Sequence, residues 1–160
     1  MDSFCIQTSS PEETTELAEK LVKFLKKGDV VLLTGDLAAG KTLFVKSVVS
    51  ALGSQAVVSS PTYTIAHHYQ TDACPVLHID AYRLSGPGEF RDLTLDDFYD
   101  DSLTLIEWGD IVETVFPDYL RLEFHFSDSS KTARDIRLSC KGQKWQSQFE
   151  EIAAKLGVSS

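Results

Sequence analysis

A run of eight residues near the start of the chain constrains the fold more than any other feature of the sequence. Gly35, Gly40, Lys41 and Thr42 match the pattern G-x-x-x-x-G-K-[ST]. Residues 30–33, which precede this pattern, are all aliphatic, as is typical of a buried parallel strand. Apolar residues at helical spacing follow it. Strand, glycine-rich turn and helix in this order predict a phosphate-binding loop, or P-loop.

The residue types of this loop suit a phosphate chain. Its glycines let the backbone wrap the anion, so that successive N–H groups and the positive end of the helix face it. Lys41 supplies a point charge for the β- and γ-phosphates, and the Thr42 hydroxyl is a ligand for Mg²⁺. We therefore predict that ATP or ADP binds here with Mg²⁺, through Gly35, Asp36, Leu37, Ala38, Ala39, Gly40, Lys41, Thr42 and Leu43.

Two acidic residues at the ends of predicted strands complete the expected site. Asp80 follows the mainly apolar residues 76–79, and Glu107 follows the mainly apolar residues 103–106. Because ligands of open α/β sheets bind at the carboxyl ends of the strands, we expect both carboxylates beside the P-loop. The aliphatic run before Glu107 favours Glu107, together with Thr42, as the residue that holds Mg²⁺.

The rest of the chain alternates between helical and extended patterns. Ser10 and Pro11 predict a helix start, since serine caps helices and proline suits the first helical position. Alternating apolar residues on both sides of a polar turn, within residues 120–138, predict an antiparallel hairpin. Residues 145–156 predict one final amphipathic helix. We predict that residues 1–160 form a single domain with a three-layer α/β P-loop NTPase fold, its sheet mostly parallel and ending in the C-terminal antiparallel hairpin.

Acidic residues are concentrated in one part of the chain. Residues 89–118 contain ten acids and one base, Arg91, so this stretch alone equals the net charge of −9. An acidic face repels nucleic acid, which argues against direct, tight contact with RNA or DNA. The stretch is either a solvated surface or a docking face for a basic partner. Three cysteines without a C-x-x-C pair, and no signal-like or bilayer-length apolar segment, predict a cytoplasmic protein that does not associate with membranes.

The chain contains four motifs in a fixed order: G-D-L-A-A-G-K-T at 35–42, S-P-T-Y-T at 60–64, H-I-D-A-Y-R-L at 78–84 and E-W at 107–108. In their order and spacing these motifs resemble the bacterial TsaE family (formerly YjeE) of tRNA threonylcarbamoyladenosine biosynthesis. The resemblance covers nearly the whole chain. The family's loop usually reads G-D-L-G-A-G-K-T, so Ala38 replaces a common glycine, and we expect it to narrow the backbone conformations and slow hydrolysis.

The resemblance implies a weak ATPase that supports the TsaB and TsaD proteins, with TsaD transferring a threonylcarbamoyl group to adenosine 37 of tRNA. This chain would then meet tRNA only indirectly. The implied catalytic residues are Lys41, Asp80 and Glu107. The implied nucleotide contacts outside the P-loop are Thr62, as a γ-phosphate sensor in a switch-like loop, Trp108 and Arg134. Core packing is the alternative for Trp108, and a solvated hairpin arginine is the alternative for Arg134.

A P-loop is also compatible with other functions. The chain has no asparagine, which excludes the guanine-reading N-K-x-D motif of GTPases. A small-molecule kinase stays open, although no arginine-rich lid is evident, and a metabolite that accelerates ATP loss would indicate it. A nucleotide-dependent interaction module also stays open. In that case partner function would survive in a hydrolysis-dead Glu107 variant.

Overall fold

A seven-stranded sheet forms the centre of the fold in the computed structural model, which describes residues 3–59 and 66–158. The strands are β1 (Ser3–Thr8), β2 (Val30–Gly35), β3 (Ala66–Tyr69), β4 (Val76–Asp80), β5 (Leu103–Glu107), β6 (Tyr119–Phe126) and β7 (Arg134–Lys141). They lie in the order β1-β7-β6-β2-β5-β4-β3. The four strands β6, β2, β5 and β4 are parallel, whereas β7, β1 and β3 run antiparallel to their neighbours.

This arrangement confirms the predicted α/β fold and its C-terminal hairpin, in which Phe126 pairs with Arg134 next to the turn. The antiparallel part of the sheet is larger than the sequence analysis anticipated. Strand β1 extends the hairpin, since it pairs with β7 from Ser3↔Ser139 to Thr8↔Arg134. Strand β3 forms the opposite edge. The parallel strands therefore occupy the middle of the sheet, where both faces are covered.

Helices and turns cover the two faces of the sheet. The α-helices are α1 (Pro11–Leu21), α2 (Lys41–Ala51), α3 (Pro87–Arg91), α4 (Asp96–Tyr99), α5 (Gln143–Gln146) and α6 (Phe149–Lys155), and 3₁₀ turns span Val22–Phe24, Gly109–Ile111 and Glu113–Val115. On one face, α1, α2, α5 and α6 pack against alternate strand residues that include Val31, Leu33 and Leu105. On the other face, α3 and its neighbouring turns cover Leu32 and Ile106. The predicted three layers are present.

The helix start at Ser10 is confirmed, and the single C-terminal helix is not. Ser10 Oγ accepts a hydrogen bond from Glu13 N at 3.3 Å, as a helix cap does. The predicted helix over residues 145–156 is wrong, because the chain breaks between α5 and α6. Ser147 Oγ and Gln148 Nε2 both donate to the Lys144 carbonyl, so side chains replace the helical backbone bonds there.

The parallel strands bring distant residues to one edge of the sheet. Leu33 of β2 pairs with Glu107 of β5, and Asp80 of β4 pairs with Glu107 on its other side. The carboxyl ends of β2, β5 and β4 therefore lie side by side, with the loop from Gly35 to Lys41 above them. Within the described residues, no helix combines the length and apolar character needed to cross a membrane.

Candidate functional site

The P-loop connects β2 to α2 and depends on glycine at both ends. Gly35 and Gly40 have φ of 133° and 121°, in the left-handed region where only glycine is free of strain. A Cβ at Gly35 would lie 2.4 Å from the carbonyl oxygen of Phe124 in β6. The loop therefore lies directly against β6, and α2 begins at Lys41 with its unpaired N-terminal amide groups at the carboxyl end of the sheet.

Ala38 adopts a backbone conformation that favours glycine. Its φ is 62°, in the left-handed region, although it carries a side chain. This gives a physical reason for the glycine that the TsaE-like loop usually has at this position. Ala38 is exposed, so its methyl group meets no steric clash from the core, and the cost is confined to the backbone.

The Lys41 side chain folds back over its own loop. Its Nζ donates hydrogen bonds to the carbonyl oxygens of Gly35 and Asp36, the latter at 2.9 Å. The same atom lies 4.2 Å from the centre of the Trp108 ring, within cation–π distance. Burial lowers the pKa of the Lys41 ammonium, and nearby carboxylates oppose this lowering; they belong to Glu107, Asp80, Asp36 and Asp110.

Glu107 is a buried carboxylate with a hydrogen-bond donor on each oxygen. Thr42 Oγ1 donates to Glu107 Oε1 at 2.9 Å, which joins α2 to the end of β5. His78 Nε2 donates to Glu107 Oε2 at 2.6 Å. Only 3% of Glu107 is exposed. The two predicted Mg²⁺ ligands, Thr42 and Glu107, are therefore already in contact.

Asp80 ends β4 directly beside Glu107. The two residues are paired in the parallel register of β4 and β5, so their side chains leave the same face of the sheet. Asp80 Oδ1 accepts a hydrogen bond from the backbone N–H of Tyr82 at 2.9 Å, which fixes the turn after the strand. Asp80 and Glu107 therefore lie side by side at the edge of the sheet that carries the P-loop, where the sequence analysis expects them.

Trp108 lies at the mouth of the site in a left-handed conformation, with φ of 60° and ψ of 39°. The next residue has to be glycine, because a Cβ at Gly109 would lie 2.6 Å from Leu32 Cβ. The Trp108 ring is 5.0 Å from the Tyr82 ring and covers Lys41. Trp108 thus faces the P-loop and is only partly buried, which favours a site residue over a core residue.

These side chains surround a cavity of about 380 Å³, within the ~300–1,000 Å³ range of small-molecule sites. It is lined by Leu37, Ala38, Gly40, Lys41, Thr42, Leu43, Asp80, Glu107 and Trp108. The hydroxyl and carboxylates suit Mg²⁺, which prefers oxygen ligands and binds through one or two carboxylates together with substrate phosphates. Among the described residues there is no cluster of three or more potential metal-binding His, Cys, Asp or Glu side chains.

Several residues that the sequence predicts as nucleotide contacts do not line this cavity. Arg134 lies behind the loop, where its Nε donates to the Ala39 carbonyl at 3.0 Å and its guanidinium lies 4.6 Å from the Phe126 ring. It is not among the described residues that line the cavity. The carbonyl groups of Gly35 and Asp36 accept hydrogen bonds from Lys41, and these two residues do not line the cavity. Thr62 and the switch-like loop at 60–64 lie outside the described residues.

Two residues of the site were not assigned a role from the sequence. His78 contacts Glu107, and it precedes Asp80 by two positions, so the alternation of β4 was the signal that places both on one face. Phe124 lies behind both glycines of the loop, and a Cβ at Gly40 would lie 3.6 Å from its ring. Only the pairing of β2 with β6 identifies that contact.

The α/β sheet, the glycine-bounded turn after β2 and the lysine and threonine that open α2 define a P-loop protein. A family model described as threonylcarbamoyl adenosine biosynthesis protein TsaE matches residues 8–136. The chain therefore belongs to the TsaE family of tRNA threonylcarbamoyladenosine biosynthesis proteins.

Individual relatives agree with this assignment. The chain is 35% identical over 155 residues to the tRNA threonylcarbamoyladenosine biosynthesis protein TsaE of Bacillus subtilis (strain 168), with 96% of each chain covered. It is 40% identical over 145 residues to the protein of the same name from Streptomyces coelicolor. This match covers 87% of this chain and 98% of the relative. The crystal structure of Bacillus subtilis YdiB matches with a TM-score of 0.75 and 30% identity over 95% of each chain.

Proposed function

We propose that this chain binds and hydrolyses ATP with Mg²⁺ and thereby supports tRNA threonylcarbamoyladenosine modification in a complex with the TsaB and TsaD proteins. The observation that carries the proposal is the convergence of Lys41, Thr42, Asp80 and Glu107 on one cavity at the P-loop. Family membership supports the pathway. The cavity supports the chemistry.

The P-loop residues bind the phosphates. The N-terminal amide groups of α2 and the helix dipole favour an anion above Gly40. Lys41 exchanges its bonds to the carbonyls of Gly35 and Asp36 for bonds to the β- and γ-phosphates. These carbonyl contacts place the ammonium inside the loop that would hold the phosphates.

The acidic residues prepare hydrolysis. Thr42 and Glu107 would hold Mg²⁺, which would neutralise charge on the phosphate oxygens. Asp80 and Glu107 accept hydrogen bonds from water at the end of the sheet and orient it toward the γ-phosphate. Four carboxylates lie near enough to influence the Lys41 ammonium, and two of them, Asp80 and Glu107, line the cavity, so negative side chains predominate around it. Negative charge around the cavity disfavours binding of a metal-free nucleotide and favours binding of the Mg²⁺-bound nucleotide.

The surface supports a role through partner proteins rather than through tRNA. Eight of the ten acidic residues between 89 and 118 are exposed, namely Glu89, Asp92, Asp96, Asp97, Asp100, Asp101, Asp110 and Asp118. Such a surface repels a phosphate backbone. We therefore assign tRNA contact to the partner proteins and nucleotide turnover to this chain.

The first test removes the ammonium of the P-loop. Lys41→Ala should weaken ATP binding and abolish ATP hydrolysis, because no other side chain of the loop carries a positive charge. Calorimetric titration with ATP and Mg²⁺ measures the binding, and phosphate release measures the turnover. The matched control is Lys46→Ala, which removes an exposed lysine from the same helix and should leave both unchanged. Unchanged binding and turnover in Lys41→Ala would refute the proposal.

A further inference from the structure

Glu107 is held by two donors from different elements, and His78 is the one that the proposed chemistry does not use. His78 Nε2 donates to Glu107 Oε2 at 2.6 Å, and hydrogen bonds to a charged acceptor are shorter and stronger than neutral ones. His78 is fully buried and Glu107 is 3% exposed. The donor to the other oxygen, Thr42, lies on the cavity side.

The strand register explains why these groups meet. His78 pairs with Leu105 and Asp80 pairs with Glu107, so all four residues project from the same face of the sheet. That face is covered by α2, which begins at the P-loop. His78 lies one step deeper than Asp80, beneath the Glu107 carboxylate. It therefore supports Glu107 from inside the protein, whereas Asp80 lines the cavity itself.

A buried glutamate requires such support. Its side chain has several rotatable bonds, and a buried charged oxygen without a donor is costly. Without the imidazole, Glu107 Oε2 would lose its 2.6 Å donor, and the carboxylate would turn toward another donor or toward water. Either movement takes Oε1 away from Thr42. The orientation of the Glu107 carboxylate thus depends on His78, which does not line the cavity.

We propose that His78 is a positioning residue that fixes the Glu107 carboxylate so that Oε1 faces Thr42 and the nucleotide cavity. This inference rests on the proposed function, since the orientation of the Glu107 carboxylate affects the binding of a nucleotide with its Mg²⁺. Outer partners of metal-binding groups typically contribute about 10- to 100-fold in metal affinity or activity. We assign a contribution of this size to His78.

The test compares two substitutions at one position. His78→Leu fills a similar volume without a donor, whereas the side-chain amide of His78→Gln places an N–H near the position of Nε2. His78→Leu should lower kcat for ATP about 10- to 100-fold and should raise the Mg²⁺ concentration for half-maximal ADP binding. Its ADP affinity in EDTA should match the parent, because the P-loop is unchanged. His78→Gln should recover most of both losses.

Two controls separate positioning from general damage. Val76→Ala shortens another buried side chain on the same face of β4 and tests simple destabilisation. His68→Leu removes an exposed imidazole from the neighbouring strand. Both should keep the parent's kcat and Mg²⁺ dependence at a temperature where the thermal melt shows them folded. If His78→Leu does not fold, His78→Asn, whose shorter amide falls short of Glu107, replaces it in the comparison.

A measurement without nucleotide tests the contact itself. In ¹⁵N-histidine-labelled protein, the Nε2–H proton of His78 should resonate far downfield and exchange slowly with water. Glu107→Gln should shift it, and Glu113→Gln, in the partly exposed pair with Arg121, should not.

The outcomes distinguish the two proposals. A parent protein that binds no nucleotide overturns the proposed function together with the positioning role. A parent with Mg²⁺-dependent binding and a His78→Leu variant of equal kcat and Mg²⁺ dependence overturns the positioning role alone. A His78→Gln variant no better than His78→Leu also overturns it.

Discussion

Ala38 holds a left-handed backbone conformation, with φ of 62°, that costs an alanine more than a glycine. The cost of this region for a residue with a side chain is roughly 1–2 kcal/mol. Ala38→Gly should therefore raise the free energy of unfolding by about 1 kcal/mol, although glycine gains entropy in the unfolded chain. Urea denaturation at equilibrium measures this difference.

Ala39 provides the matched control for this substitution. Ala39 is 1% exposed. Some described residues other than glycine have a positive φ, and Ala39 is not one of them. Ala39→Gly should destabilise the protein, since it loses a buried methyl group and gains unfolded-state entropy. If both variants lose stability by the same amount, the conformation of Ala38 carries no strain.

Trp108 should report nucleotide binding through its fluorescence. Its ring lies 4.2 Å from Lys41 Nζ. When the Lys41 ammonium moves to contact a bound phosphate, the charge next to the indole changes. The other tryptophan, Trp145, is buried on α5 and would contribute a constant signal. We expect a change in emission when ADP and Mg²⁺ are added to Trp145→Phe protein. Trp108→Phe protein should show none, and a silent Trp145→Phe protein would contradict the assignment of Trp108 to the site.

At the scale of elements, the hairpin supports the P-loop from behind. Arg134, the first residue of β7, donates to the Ala39 carbonyl and stacks on Phe126 at the end of β6. Arg134→Ala should loosen the loop and weaken ADP binding by about tenfold, a loss comparable to that of one charged hydrogen bond. Calorimetric titration with ADP and Mg²⁺ measures it.

Arg137 on the same strand separates this effect from simple loss of charge. It is exposed and bonds to Ser3 in β1, away from the loop. Arg137→Ala should bind ADP like the parent. Equal weakening in both variants would mean that long-range charge, rather than support of the loop, explains the Arg134 result.

Elements with a local signal were predictable from the sequence, and elements defined by their neighbours were not. The cap at Ser10 and the hairpin carry their own patterns and are confirmed. Strand β1 was not anticipated, because it is an edge strand formed by pairing with β7, which lies far along the chain. The break before α6 was missed because the apolar spacing continues across it. Only the side-chain bonds of Ser147 and Gln148 reveal it.

The same distinction applies to the site. The P-loop is a contiguous motif, and Asp80 and Glu107 follow from the rule that parallel strands end at one edge, so their meeting was predictable. His78 was part of a motif without a role. Its contact depends on which face of β4 points toward α2, and the sequence alone leaves that choice open. Arg134 was associated with the nucleotide, and in the structure its Nε donates to the P-loop carbonyl of Ala39, a contact that only the folded hairpin brings about.

At the scale of the whole molecule, nucleotide state should control association with the partner proteins. The acidic surface and the P-loop belong to one small fold, so a nucleotide-dependent change beside the loop can alter a docking surface. We expect the TsaB–TsaD heterodimer to bind the form loaded with a non-hydrolysable ATP analogue at least about fivefold more tightly than the ADP form, the lower end of typical coupling. Calorimetric titration of the heterodimer into each form measures this ratio.

The remaining outcomes separate the alternatives. Equal affinities would rule out a nucleotide switch, and no association would refute the proposed complex. Glu107→Gln should bind nucleotide but hydrolyse it roughly a hundredfold more slowly. If modification of tRNA proceeds normally with this variant, the chain acts as a nucleotide-dependent interaction module. Acceleration of ATP loss by a metabolite, without the partner proteins, would indicate a small-molecule kinase.

The position of β2 between β5 and β6 also determines when the P-loop can form during synthesis. The loop leaves the ribosome early, but both neighbours of β2 lie in the second half of the sequence, and Phe124 of β6 supports the loop glycines. At about 5–20 residues per second, the nascent chain displays the aliphatic β2 for several seconds before it is covered. We therefore expect chains that stop before residue 119 to lack the support of Phe124 behind the loop glycines and to leave β2 without its β6 neighbour, a state in which apolar strand surface is open to chaperones or to aggregation.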